Sequence, residues 1–325
     1  MKIKTISFLL LTTLLLSSCR EKVSKQILLT QPNSTHLKDL SSASGIGNYN
    51  KSIYIVGDDS PWLFTLDNNL NIINKTLVSS IDTVLEGRTP KFMKADFEGA
   101  EIISDGSNFE IVIISSGSSR HTRDTAHIIN ISNNGENYSK NLRPLYEKIK
   151  LEADLPVTNE INIEGIAFSE EYVYLAHRGN VSENLLIEIN RNEFLDFIKR
   201  IRSIPDFTIY RYYLPMLNGV SSGFSGICIT PDKSGLLFTA SLEDTNDEIN
   251  DGKILGSFVG VIPFAGMPKG EFSASLLLNN DQLLEKKLEG ISVISNDEKG
   301  EMQIITVCDN DDGTSDVITF IMEIR

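Results

Sequence analysis

One short pattern occurs five times along this chain. Each copy runs Ser or Glu, then Gly, then an apolar residue, then a turn, then a strongly β run ending in charged or turn residues. The first is Ser44-Gly45-Ile46, followed by Ile53 to Val56 and Asp58-Asp59. The second is Glu98-Gly99-Ala100, then Ile111 to Ile114 and Arg120-His121. The third is Glu164-Gly165-Ile166, then Tyr172 to Ala176 and His177-Arg178. The fourth is Ser225-Gly226-Ile227, then Leu236 to Ala240 and Glu243-Asp244. The fifth is Glu289-Gly290-Ile291, then Ile304 to Cys308, Asp309 and Asp311-Asp312. The dipeptide matters only with its hairpin: Glu86-Gly87 has none, since Arg88 follows.

The anchor glycines stand at 45, 99, 165, 226 and 290, so the steps are 54, 66, 61 and 64 residues. That is too long for a solenoid coil and suits four short strands per unit. After the third anchor, Leu185 to Ile189 and Phe207 to Tyr213 supply two of them, with a helical insertion at Glu193 to Ile201. The expected fold is all-β: a five-bladed β-propeller of four-stranded antiparallel blades. The last repeat stops one strand short after Val317 to Ile324, and Gln26 to Thr30 is the candidate to close the ring. Closure removes open sheet edges. A six-bladed ring with one degenerate repeat is the alternative.

In a propeller the first strand of each blade lines the central channel. The anchors Ser44, Glu98, Glu164, Ser225 and Glu289 then form a ring at one end of it. The charged hairpin ends collect above the same end, because two strand reversals return the chain to its starting face. Three carboxylates converging on one axis must protonate, stay hydrated or hold a cation. Five oxygen donors without nitrogen or sulfur suit a hard ion, and calcium tolerates such a ring better than magnesium. The following glycine would let backbones approach near the axis. The plain alternative is a strand-initiating turn with solvated carboxylates.

The net charge of −14 argues against nucleic acid, which requires a basic footprint. The N-terminus carries a processing signal. Lys2 and Lys4 precede a short apolar core, Ile6 to Leu16, that ends in Leu16-Ser17-Ser18-Cys19. This resembles a bacterial lipobox, with residues 1–18 removed, Cys19 lipidated, 19–25 a tether and 26–325 the propeller. A secretory signal with a chance cysteine is the alternative. The lipid implies a membrane-anchored envelope protein, and Arg20 in place of aspartate points to the outer membrane. Cys228 and Cys308 each sit in an apolar β run, as buried thiols or as a disulfide.

The order Ser44, Glu98, Glu164, Ser225, Glu289 resembles the ring of the calcium-dependent apyrase (calcium-activated nucleotidase) family. Local similarity is greatest at Gly223-Phe224-Ser225, Ser241-Leu242-Glu243-Asp244, Gly256-Ser257-Phe258-Val259 and Leu288-Glu289-Gly290-Ile291. Asp58-Asp59 and His177-Arg178 match places of paired aspartates and paired arginines, although His177 replaces the first arginine. These motifs cover about a quarter of the chain, and a full hairpin follows the last anchor where the family ends. The Glu-Gly-Ile anchors also resemble phytase-like esterase and SdiA-regulated propellers of bacterial envelopes.

The resemblance implies a bound calcium and hydrolysis of a phosphoanhydride or phosphoester. Asp58 or Asp59 would position or deprotonate the water, and His177 and Arg178 complete the candidate catalytic set. Arg120 and Arg178 would clamp phosphate. Arg123, Glu243 and Asp309 are the further candidates for binding substrate. The competing expectation is a non-catalytic propeller that binds a glycan or protein, with calcium as a structural staple. No nucleophile elbow, P-loop or zinc motif occurs in the sequence.

Overall fold

The computed structural model describes residues 25–325, apart from 80–87, 106–107, 120, 133–134, 180–182, 200–202 and 245–251. The expected leader, Cys19 and all of the tether except Lys25 therefore lie outside the described residues. Five antiparallel sheets form a ring, so the chain is a five-bladed β-propeller and the six-bladed alternative is set aside.

Blade one comprises Ala43–Tyr49, Ser52–Gly57, Trp62–Leu66 and Ile72–Leu77. Blade two comprises Phe97–Asp105, Asn108–Ser115, Thr125–Asn130 and Tyr138–Asn141. Blade three comprises Ile163–Phe168, Tyr172–His177, Asn184–Asn190 and Phe207–Tyr212. Blade four comprises Val220–Ile229, Gly235–Asp244, Lys253–Pro263 and Ser273–Leu276, with the two-residue Met216–Leu217 beside its first strand. Blade five comprises Ile291–Asn296, Met302–Asp309 and Ser315–Ile324.

The N-terminus completes blade five. Ile27–Leu29 pairs antiparallel with Met322 to Ile324, and Gln26 and Arg325 exchange backbone hydrogen bonds of 2.9 Å. A second strand, Asn33–Leu37, continues along the same edge against Ser315 to Thr319. Its alternation of polar residues gave no apolar signal, since only Leu37 among them is buried.

Two helices interrupt the β pattern. Arg191–Ile198 is the expected insertion, capped by the Asn190 side chain, which accepts from the backbone of Asn192 and Glu193. Arg143–Glu152 was not foreseen. It buries Leu145, Tyr146 and Ile149 at helical spacing, and the Tyr146 hydroxyl donates to the Ser115 carbonyl at 2.6 Å.

The cores lie between blades, built from the β-branched residues that favour strands. Cys228 and Cys308 are free thiols buried in the core shared by blades four and five, so the disulfide alternative falls. Nearest the axis, each anchor glycine faces the backbone of the next blade. A Cβ on Gly226 would lie 2.3 Å from the Glu289 carbonyl oxygen, and one on Gly290 2.3 Å from that of Ser44. Gly45, Gly99 and Gly165 abut the second, third and fourth anchors likewise. Five such contacts run once round the ring and close it.

Candidate functional site

At four anchors the innermost ladder slips. Pairing jumps from Ala43 to Ile46, from Phe97 to Gly99, from Ile163 to Gly165 and from Phe224 to Gly226. Ser44, Glu98, Glu164 and Ser225 fall in these bulges without a cross-strand partner. A bulge re-aims the side chain it leaves over. In blade five, Glu289 just precedes its strand, held by its N–H to the Val307 carbonyl at 2.8 Å and by that of Gly290 to the Ser44 carbonyl at 2.6 Å.

The glutamates feel one another. Burial pushes the Glu98 carboxyl well above its ordinary range, and Glu164, Asp96, Glu289 and Asp58 push it further. Burial likewise raises Glu289, to about 8; Lys287 opposes the rise, while Asp309 and Glu164 add to it. The Ser44 hydroxyl donates to Glu98 in a short bond. Ser225 is buried, and its Oγ has no hydrogen-bond partner among the described residues.

Basic side chains also reach the ring, which changes its charge balance. Lys287 Nζ lies 2.9 Å from Glu289. Arg178, buried at 3% exposure, lies 2.7 Å from Glu243 and 3.9 Å from Glu164. Burial disfavours the Lys287 ammonium, but Glu289 and Glu164 outweigh it and hold the group charged. Three uncompensated carboxylates are therefore not what the axis contains; the protein's own cations meet two of them.

Between blades one and two lies a second ionic cluster. Asp96 accepts from Ser118 Oγ at 3.0 Å and from Arg123 Nη1 at 3.2 Å, pairs with Lys94 at 2.8 Å and takes a short bond from Ser116. Lys94 also pairs with Asp58, and Arg88 with Asp59, both at short range. Oxygens of Asp58, Asp96 and Glu98 lie within 4.8 Å of one another, a grouping that could hold a metal ion.

The ring glutamates and this cluster open into a cavity of about 830 Å³, whose lining includes neither Ser44 nor Ser225. Among the described residues, twelve carboxylates and seven lysines or arginines line it. Its lining brings together Asp58, Asp59, Glu98, Arg123, Glu164, Arg178, Glu243, Glu289 and Asp309. Asp309 makes no ion pair among the described residues; its carboxylate accepts from the Asp311 N–H at 2.9 Å. Burial, and then Asp58, raise it to about 7.

One expectation changes. His177 is not at the mouth: it is fully buried, outside the cavity lining, and its Nδ1 accepts from the Asn162 N–H at 2.9 Å. Burial lowers it to about 4, and its ring nitrogen is held against the Asn162 backbone, away from the cavity. Arg120 lies outside the described residues.

Lys94, Asp96, Asn162 and Lys287 were missed. A signal existed two residues before each anchor, where the chain carries Ser42, Asp96, Asn162, Gly223 and Lys287. Four of the five are polar. Gly223 is the exception because Arg178 occupies the space: a Cβ there would meet Arg178 Cγ at 2.6 Å. Asn162 donates to Glu164 at 2.6 Å.

A family model described as a family of unknown function, DUF6929, matches residues 39–322. No curated protein matches the chain. Solved structures similar to it include a streptogramin B lyase, 12% identical with TM-score 0.37, over 89% of this chain and 98% of that one. A DUF4221 member from Bacteroides vulgatus is 9% identical with TM-score 0.41, over 94% and 99%. A luciferin-regenerating enzyme is 7% identical with TM-score 0.42, over 89% and 95%. Likeness at this level says nothing about chemistry.

Proposed function

The chain belongs to DUF6929, a family of unknown function, and on that premise we propose a cation-dependent site for a small phosphorylated ligand at the anchor end of the channel. The observation that carries this reading is the set of bulges that turn oxygen side chains from successive blades toward one axis, with the buried Ser225 hydroxyl left unpartnered. The donor set fits calcium: it is all oxygen, and it includes mutually repelling carboxylates. Ser44, Glu98, Glu164, Ser225 and Glu289 would hold the ion, with Asp58 and Asp96 beside Glu98. Bound there, calcium would supply positive charge for phosphoryl oxygens.

The chain's own residues supply the rest. Arg178, Arg123, Lys94 and Lys287 surround the cavity, and a phosphate would compete with the carboxylates they now pair with. Asp309, raised to about 7, can take or return a proton near neutral pH. The reaction is hydrolysis of a phosphoester or phosphoanhydride, as in the calcium-dependent apyrases and phytase-like propellers that the anchors resemble. The existing ion pairs favour one second reading, a non-catalytic module in which calcium is a staple and the mouth docks a glycan or protein.

Phosphate release from ATP and from p-nitrophenyl phosphate, in calcium and in chelator, separates the two. The expected result is release in calcium only, falling by about 100-fold or more in Asp309→Asn with no loss of melting temperature. No release under either condition would leave the non-catalytic reading.

The anchoring proposal rests on Leu16-Ser17-Ser18-Cys19: a lipid on Cys19 holds the propeller at the bacterial envelope, at its outer membrane. Cys19→Ser should abolish palmitate labelling in cells; labelling that persists in this variant would remove the lipobox.

A further inference from the structure

A second cavity, of about 550 Å³, opens at the opposite end of the propeller. Its walls include Ser104, the turn from Ser169 to Tyr172 and the turn bearing Lys233. Glu98 and Ser104 lie near opposite ends of the same innermost strand. Six steps of strand separate them, roughly 20 Å, so this pocket is remote from the anchor ring.

Five aromatic rings line it: Phe168, Tyr172, Tyr174, Tyr210 and Phe264. Tyr174 and Phe264 stack at 5.3 Å between centroids and 20° between planes, which fixes one wall. Tyr172 is 36% exposed at the rim. Glu188, half-buried on the third strand of blade three, stands among the rings. The Tyr210 hydroxyl donates to it at 3.2 Å, and the Tyr174 phenol also bonds to it.

The pocket's cations are committed elsewhere. Lys233 pairs with Glu170 at 2.5 Å. Arg191 donates to the carbonyls of Ser169 and Ser104 at 3.4 and 3.3 Å. Among the described residues neither these nor any other lysine or arginine pairs with Glu188. Two phenols leave a carboxylate with accepting capacity to spare. Ring faces attract positive charge, and a carboxylate among them adds to that attraction. A neutral ligand would cover Glu188 without giving it a counterion, and an anion would meet it directly.

From these contacts we infer that the pocket binds a small organic cation, an alkyl- or arylammonium, with its charged nitrogen against Glu188 and its apolar body among the rings. The volume falls in the range of small-molecule sites. The site is independent of the anchor ring and stands whether or not calcium binds there.

The test is calorimetric titration of the purified protein with three probes of similar size: benzyltrimethylammonium, benzyl alcohol and benzenesulfonate. The cation should bind at least about tenfold more tightly than either other probe, a difference of about 1.4 kcal/mol, equally in calcium and in chelator. Glu188→Gln keeps an acceptor for both phenols and should erase that preference while leaving the alcohol's affinity unchanged. Tyr172→Ala, at the rim and outside the core, should weaken the cation most. Equal binding of cation and alcohol, or a cation preference that survives Glu188→Gln, would overturn the assignment, as would no binding of the cation.

Discussion

Gly290→Ala should open or unfold the propeller. The added methyl would lie 2.3 Å from the Ser44 carbonyl oxygen and 2.8 Å from the Ile46 nitrogen. Both are backbone atoms of the innermost strand of blade one, so no side-chain rotation relieves the clash. Gly290 also donates its N–H to that same carbonyl at 2.6 Å. Blade five must therefore move away from blade one, and both flanking cores lose packing. Overpacking a well-filled core costs about 1–3 kcal/mol and occasionally more; here the loss should reach at least about 3 kcal/mol, because the seam is the one that closes the ring. Gly47→Ala is the control, since its nearest neighbour is a movable Ile102 side-chain atom at 3.2 Å. Urea denaturation compares them. A Gly290→Ala midpoint equal to that of the native chain would mean that the anchors are not in mutual contact.

The second large effect is expected from Asp96→Asn. This substitution keeps the shape and removes the charge that Lys94 and Arg123 share. Burial alone would raise the Asp96 carboxyl, but Lys94 and then Arg123 outweigh it and hold it below the ordinary range. Removing one partner of a buried pair costs about 3–5 kcal/mol, because the other charge is left uncompensated. Lys94 keeps Asp58, so a loss near 3 kcal/mol is expected in urea denaturation. The pH dependence checks the cause. A carboxyl lowered on folding stabilises fully above its unfolded value near 3.8, and that contribution is lost as pH falls through the folded value. The native chain should lose this stability in strong acid, and Asp96→Asn should have none of it to lose. Glu323→Gln, at an exposed pair with Arg325, should leave the midpoint unchanged.

The ring was legible because its physics repeats. Each blade has an apolar strand against its neighbour, a glycine where backbones meet and an oxygen residue just before that glycine, so Ser44 through Glu289 announce themselves at steps of 54 to 66 residues. The closing strand was legible for the same reason: the fifth repeat lacked one strand and Gln26 to Thr30 was apolar enough to supply it. Asn33–Leu37 was not, since edge pairing uses backbone groups and leaves no apolar pattern. The cations of the site were harder. Lys94 and Lys287 lie just before their anchors, in segments that vary from blade to blade, and their partners Asp58, Asp96 and Glu289 are set by the fold. Arg178, read from the sequence as a hairpin-end residue, lines the cavity. His177, the last residue of its strand, is instead fully buried, while Arg178 lies just past the strand end.

The central claim is that the anchor ring holds a cation, and melting curves in calcium and in chelator, repeated from about pH 8 to about pH 5, test it most directly. Glu98 and Glu289 have raised folded values against an unfolded value near 4.5. In that interval these two carboxyls bind more protons in the folded chain than in the unfolded one, so their contribution to the stability of the calcium-free protein should grow as pH falls. Bound calcium would take the place of those protons. At about pH 8 it should raise the melting temperature, by the equivalent of about 2.7 kcal/mol when it exceeds its dissociation constant a hundredfold. That gain should shrink toward about pH 5 as protons compete for the carboxylates. Superimposed curves at every pH would contradict the claim and leave Glu98, Glu164 and Glu289 as a ring neutralised by protons, Lys287 and Arg178 alone.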